Sequence, residues 1–268
     1  MSGPELYFMV LGVGLVAYAV TAGADFGGGI WDLLAWGSRK KAQREAVAKA
    51  IAPIWEANHV WLIFVVVIMF TVFPKAFAVI SVALHIPLTL ALVGIVLRGA
   101  AFTFRAYGLG QGGGLWRRVF AWSSLVTPVF LGMALAALAT GHIRVESDQV
   151  TSGFLAGWLT PFAFAVGLLS LCLFALLAAV YLAADTTGPV QGDFRVRALV
   201  CEVVAALAAA LAFAFAKQDA PELYLRLSGA SWTMLIQAAT AALAVATVAL
   251  VWTRRPRWAR FTDRKSVV

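Results

Sequence analysis

Apolar residues dominate this chain in long unbroken runs, and polar residues gather in the short segments between them. Seven runs stand out: Leu6–Ala24, Ile51–Phe73, Ala76–Leu97, Val119–Thr140, Phe154–Ala184, Ala198–Ala216 and Trp232–Trp252. Most hold about the 20 residues that a helix needs to cross a ~30 Å hydrocarbon core. Strand-like alternation of apolar and polar positions is absent, which argues against a barrel. The pattern therefore predicts an all-α fold: a polytopic membrane helix bundle of about seven transmembrane helices, amino terminus outside and carboxyl terminus cytoplasmic. Residues 1–142 would form a first four-helix bundle. Residues 153–268 would form a second, apparently incomplete bundle of three spans with a basic cytoplasmic tail, Arg254–Val268. The first run lacks a basic start and follows Glu5, so a span is expected there rather than a cleaved signal peptide. Pro87, Pro128 and Pro161 fall inside runs and are expected to bend their helices. The fifth run is long enough that a tilt or a kink at Pro161 would have to absorb the excess. The glycine cluster Gly108–Gly114 predicts a flexible inner loop.

Composition agrees with this pattern. The 268 residues are 62% hydrophobic and 13% charged, and no block of sequence is large enough to fold a catalytic domain in water. The net charge of +8 might be taken for a nucleic-acid signal, but its distribution excludes that reading. With the amino terminus outside, the inner segments hold 17 of the 21 Lys and Arg and the outer segments 4, a bias that sets this orientation. Cys172 and Cys201 both lie in apolar runs and are expected to be packing residues.

Against this background the polar residues inside the runs carry the information, because ionisable groups at membrane depth are expensive and are functional by default. The second run opens Pro53-Ile54-Trp55-Glu56-Ala57-Asn58-His59-Val60-Trp61. Glu56 and His59 are three apart and project from one helix face. The first run ends in Gly23-Ala24-Asp25-Phe26-Gly27-Gly28-Gly29-Ile30-Trp31-Asp32. Gly23 and Gly27 form a small-xxx-small pair that lets another helix approach closely. Asp25 lies roughly 28 Å along its helix at 1.5 Å per residue, and Glu56 enters from the other direction to a similar depth. Asp25, Glu56 and His59 are thus expected to form a protonatable cluster near the inner surface. A solvated helix end is the alternative for Asp32. Trp55, Asn58 and Trp61 are candidates for holding a quinone ring or a partner by stacking and hydrogen bonding, with an interfacial aromatic belt as the alternative. His85 is expected near mid-bilayer, where it and His59 would be able to ligate a b-type haem. Glu202 is expected to pair with Arg195 or Arg197, or to snorkel. No spacing of His, Cys, Asp or Glu suggests another metal site, and nucleotide-binding fingerprints are missing.

These residues resemble a family. Gly23–Ile30, Pro53–Ile63 and the short turn Phe73-Pro74-Lys75-Ala76-Phe77-Ala78 look like three linked motifs of subunit II of cytochrome bd quinol oxidases, and Arg98–Phe104 resembles the end of its third helix. The resemblance implies an accessory subunit of a terminal oxidase that oxidises quinol and reduces oxygen to water. The b- and d-type haems would reside in a partner, subunit I, and small extra subunits would complete the complex. This chain would bind no haem or metal itself, would pack against subunit I, and would contribute Asp25, Glu56 and His59 to proton uptake from the cytoplasm. A bound quinone and a place in a bacterial or archaeal cytoplasmic membrane are also implied. Glu56 stands where the family often has Asp, and His59 where many members have Gln. Members usually have nine spans, against the seven counted here, so a short or truncated member is expected. Two other readings use the same residues: a stand-alone proton- or ion-coupled transporter, and a haem-b electron carrier built on His59 and His85.

Overall fold

A chain in hydrocarbon must satisfy its backbone polar groups within each segment, and the apolar runs accordingly become helices. The computed structural model describes residues 3–106, 113–229 and 231–252; the loop Gly108–Gly114 lies almost wholly, and the tail Arg254–Val268 wholly, outside the described residues. In chain order the helices are α1 (Gly3–Leu33), α2 (Lys40–Val72), α3 (Pro74–Ala83), α4 (His85–Ala106), α5 (Gly113–Ala137), α6 (Pro161–Asp185), α7 (Gly188–Asp219), α8 (Pro221–Gly229) and α9 (Ser231–Trp252). Between α5 and α6 a small antiparallel hairpin pairs β1 (Val145–Glu146) with β2 (Gln149–Val150). Its two central residues, Ser147 and Asp148, both have positive φ, as the tightest hairpin turn requires.

Among the described residues five helices, α1, α4, α5, α6 and α7, are long and apolar enough to cross a membrane, a sixth span arises if the bent pair α2–α3 is taken as one, and α9 is a further apolar helix. The third run still supplies one span, α4, but with a different start. Ala76–Leu97 is not one helix: α3 leaves α2 at a bend of 116°, and a new helix begins at His85. The reason is local. Pro74 opens α3 and cannot donate the hydrogen bond that would continue α2. Hydropathy marks the bend at Phe73–Pro74, which falls between the second and third runs, but not the break at Leu84 inside the third.

The fifth run is corrected in the same way. Phe154–Thr160 stays outside the helix, which begins at Pro161 with Thr160 as its cap; the Thr160 hydroxyl accepts from the Ala163 amide at 3.1 Å. Pro161 is therefore a start signal and not a kink. Pro87 sits in the first turn of α4, and Pro128 alone of the three lies deep within its helix.

The helices pack by small residues. A methyl group added at Gly27 would overlap the Phe174 carbonyl, and one added at Gly29 would overlap the Ser124 side chain. Gly27 thus brings α1 against α6, and Gly29 brings it against α5. The close approach expected from the glycine pair is present, with α6 as the partner helix. One apolar cluster joins Ile30 and Trp31 of α1, Val47 of α2, Phe120 of α5, Leu182 of α6 and Phe194 of α7. Both halves of the chain contribute to this core. Cys201 is buried in it, and Cys172 is half-buried; both are free thiols.

Candidate functional site

The polar centre of the molecule lies where α1, α2, α4 and α5 meet. Asp25 of α1 is 0% exposed and Arg98 of α4 is 2% exposed. The guanidinium grips the carboxylate with two nitrogens: Nη1 donates to Oδ2, and Nη2 donates to Oδ1 at 2.6 Å. Nη2 also donates to the Asp25 carbonyl at 2.7 Å, and Nε donates to the Ser124 hydroxyl at 3.0 Å. Ser124 in turn donates to the Phe120 carbonyl at 2.7 Å. The guanidinium carbon lies 4.6 Å from the Phe26 ring centre and 4.8 Å from that of Phe120. The amide nitrogen of Asn58, on α2, donates to Asp25 Oδ2 at 3.1 Å. A planar fork held by a carboxylate, a carbonyl, a hydroxyl and two ring faces is a task for Arg that Lys does not fill.

This centre differs from the expected one. Sequence reasoning set Arg98 among the positive charges of an inner segment, because the third run was closed at Leu97. The structure corrects that: α4 continues to Ala106, and Arg98 is inside the bundle. A signal was present. Gly99-Ala100-Ala101-Phe102 follows Arg98 without a polar residue, so the arginine has apolar sequence on both sides.

The other site candidates separate by face. Asn58 points inward and is buried, whereas Glu56, two residues earlier, is exposed. His59 is half-buried. Glu56 heads a stripe of exposed residues on α2: Val60 (65%), Ile63 (62%), Val67 (50%) and Phe70 (61%). Their spacing of four, three, four and three marks one helix face. Asp25 and Glu56 thus lie on neighbouring helices but turn to different surroundings. Trp61 is half-buried against the cluster of Tyr18, Ala22, Phe26 and Phe174, and meets Phe64 edge-on at 5.8 Å. The Trp55 side chain lies outside the described residues. Tyr18 Oη and Asn58 Oδ1 are buried without a hydrogen-bond partner among the described residues.

His85 opens α4 just after the break at Leu84; it is exposed, and its Nδ1 lies 2.9 Å from the Val82 carbonyl oxygen, with Phe154 edge-on at 5.1 Å. His59 lies on α2, 14 residues before the bend at Phe73. Among the described residues no three His, Cys, Asp or Glu side chains converge as metal ligands would.

A second polar cluster closes the end of the molecule where α1 passes into α2. Asp32 is buried rather than solvated; Arg44 Nε donates to its carbonyl at 3.2 Å and lies 3.9 Å from Oδ1. Asp193 of α7 accepts from Arg39 Nε at 2.8 Å and from Gln43 Nε2 at 2.8 Å. The paired carboxylate keeps the Arg39 guanidinium more firmly protonated than usual. Arg197 is buried against the rings of Trp31 and Phe194, and donates to Gln43 Oε1 at 2.9 Å and to the Leu34 carbonyl at 3.2 Å. No ion pair joins Arg197 or Arg195 to Glu202 among the described residues.

Comparison with known proteins gives the family. The model of cytochrome bd terminal oxidase subunit II matches residues 3–266. The chain is 27% identical over 215 residues to cytochrome bd-I ubiquinol oxidase subunit 2 of Escherichia coli strain K12, covering 77% of this chain and 55% of that one. It is 26% identical over 196 residues to cytochrome bd ubiquinol oxidase subunit 2 of Bacillus subtilis strain 168, covering 71% of this chain and 56% of the relative. The matches thus span little more than half the length of these relatives. The fold is similar to a chain of the bd oxidase from Geobacillus thermodenitrificans, with a TM-score of 0.79 and 23% identity over 96% of this chain and 78% of that one. The chain is a multi-pass membrane protein and belongs to the cytochrome bd terminal oxidase subunit II family.

Proposed function

We propose that this chain is the accessory subunit of a bd-type quinol:oxygen oxidoreductase in the bacterial cytoplasmic membrane, with its amino terminus outside. Family membership supports an oxidase subunit over a stand-alone transporter. The observation that carries the mechanistic part is the exposure of Glu56 at the head of an apolar face of α2. A carboxylate opening onto lipid alone is expensive, whereas one opening onto a partner subunit can exchange protons with it. In this reading the partner, subunit I, packs on that face, holds the b- and d-type haems, and receives protons through Glu56 and His59.

Asp25 plays a different part. Both of its oxygens are held by Arg98, and Asn58 donates to it from α2. Paired with Arg98, it clamps α1, α2 and α4 together, so that the exposed face of α2 is presented in one orientation.

The cytochrome bd family implies haems in the oxidase complex. A two-histidine haem site finds little support on this chain, since His85 is exposed with its Nδ1 engaged by the Val82 carbonyl, and His59 is half-buried on another helix. No step is assigned to a haem on this chain. A quinone at Trp55, Asn58 and Trp61 rests on residue types alone. Asn58 and Trp61 are engaged inside the bundle, and here they support Asp25 and the Tyr18–Phe26 cluster.

Extraction in mild detergent, affinity capture and an absorption spectrum test the proposal. A co-purifying subunit with b- and d-type bands is expected. A colourless, monodisperse chain with transport activity of its own would refute it.

A further inference from the structure

The α1–α2 turn presents charge and apolar surface side by side, and the oxidase reading uses neither. Two hollows adjoin there and share Ser38. One, of about 310 Å³, is lined by Trp36, Arg39, Gln43 and Arg197 among others. The other, of about 520 Å³, is lined by Lys40, Lys41 and Arg44, with Glu45 as its one acid. The charges of this turn are unevenly spent. Arg39 is neutralised by Asp193, and Arg44 leans on Asp32. Lys40 and Lys41 are exposed and make no ion pair among the described residues.

Two further features point to an anion. Arg197 is 8% exposed, and its Nη1 is buried with no hydrogen-bond partner among the described residues. The cap residue of α2, Arg39, offers no side-chain acceptor to the first amides of that helix, which leaves the positive end of its dipole uncompensated from within the cap.

Beside these charges lies an apolar rim: Leu34 (51% exposed), Trp36 (76%) and Val196 (62%). Aliphatic residues, then an exposed indole, then lysines within a few residues follow the order of acyl chain, interface and headgroup. A free phosphate would have no use for the rim.

We propose that the α1–α2 turn and the start of α7 form a binding surface for an anionic phospholipid. Lys40 and Lys41 would meet its phosphate, and Leu34, Trp36 and Val196 its acyl chains. The inference rests on the membrane-embedded fold and is independent of oxidase activity.

The test uses the full chain, extracted, stripped of lipid, and titrated with phosphatidylglycerol or phosphatidylcholine while bound lipid is counted by native mass spectrometry. Phosphatidylglycerol should bind in preference, and the Lys40→Gln/Lys41→Gln double variant should bind it about tenfold or more weakly. Lys40→Arg/Lys41→Arg should retain binding, and Lys75→Gln, an exposed lysine on the α3 side of the bend, should leave it unchanged. An unaltered melting temperature in the Gln variant would show that its fold is intact. Equal binding of the two lipids, or no loss in the Gln variant, would overturn the proposal. Displacement of the lipid by equimolar glycerophosphate would assign the surface to a soluble anion and overturn it also.

Discussion

Arg98 on α4 and Asp25 on α1 form a two-pronged ion pair with both side chains withdrawn from the surface. Seventy-three residues separate them in sequence, and the pair joins the first helix to the fourth at the level where α2 and α5 also meet. Its geometry is complete: carboxylate, carbonyl, hydroxyl and amide partners are all supplied from within the bundle.

Removing one member strands the other. Arg98→Ala should destabilise the folded chain by about 3–5 kcal/mol, the range for breaking a buried pair. Unfolding in mixed detergent, followed by circular dichroism, would measure it. Asp25→Leu combined with Arg98→Leu should be less damaging than either single change, because no charge is then left unpaired. A double variant as unstable as the sum of the singles would show that the two groups do not act as a pair.

Glu56 should separate from Asp25 in the assembled enzyme. With excess quinol, Glu56→Ala should slow oxygen uptake while leaving subunit yield and the absorption spectrum unchanged, because the residue is exposed and makes no ion pair among the described residues. Glu56→Asp should restore most of the rate. Unchanged turnover in the Ala variant would take Glu56 out of the proton route.

The glycine face of α1 predicts a steep positional contrast. Gly27→Val has to displace the Phe174 backbone of α6, and overpacking of that kind costs about 1–3 kcal/mol or more. Gly12→Ala meets nothing within 4 Å and should be neutral or slightly stabilising. Melting temperatures of the two variants check the difference.

Gln43 holds three elements at once. It donates to Asp193, accepts from Arg197, and accepts from the Trp36 amide at 3.2 Å. Gln43→Leu should cost about 1–3 kcal/mol, since the buried Arg197 then keeps only the Leu34 carbonyl of its two acceptors. Asp193→Asn should do less, because Arg39 is half-exposed and can turn to water. Denaturant titration of both variants would rank them.

Much of the architecture was legible in the chain. Long apolar runs allow only helices in hydrocarbon, so an all-α membrane bundle follows from length and hydropathy. The glycines of α1 announced a close helix contact, and Pro53–Ile63 carried the family resemblance. What misled was the assumption that every apolar run is one straight span. Leu84 lies inside the third apolar run, so hydropathy passes through that break, whereas Phe73–Pro74 is followed by Lys75 and falls between two runs. That assumption hid the start of α4 at His85, and closing the run at the charge of Arg98 put that residue outside the span.

Sequence alone determined the fold class, the membrane setting and the identity of the rare polar groups, because composition and period are properties of each segment by itself. It did not determine which of those groups meet. Asp25 could be matched to Glu56 by depth, yet its partners are Arg98 and Asn58. Depth is one coordinate, and contact also requires the azimuth of each helix. Azimuth is set by how the glycine face of α1 settles on α5 and α6, a property of the packed bundle and not of any single helix.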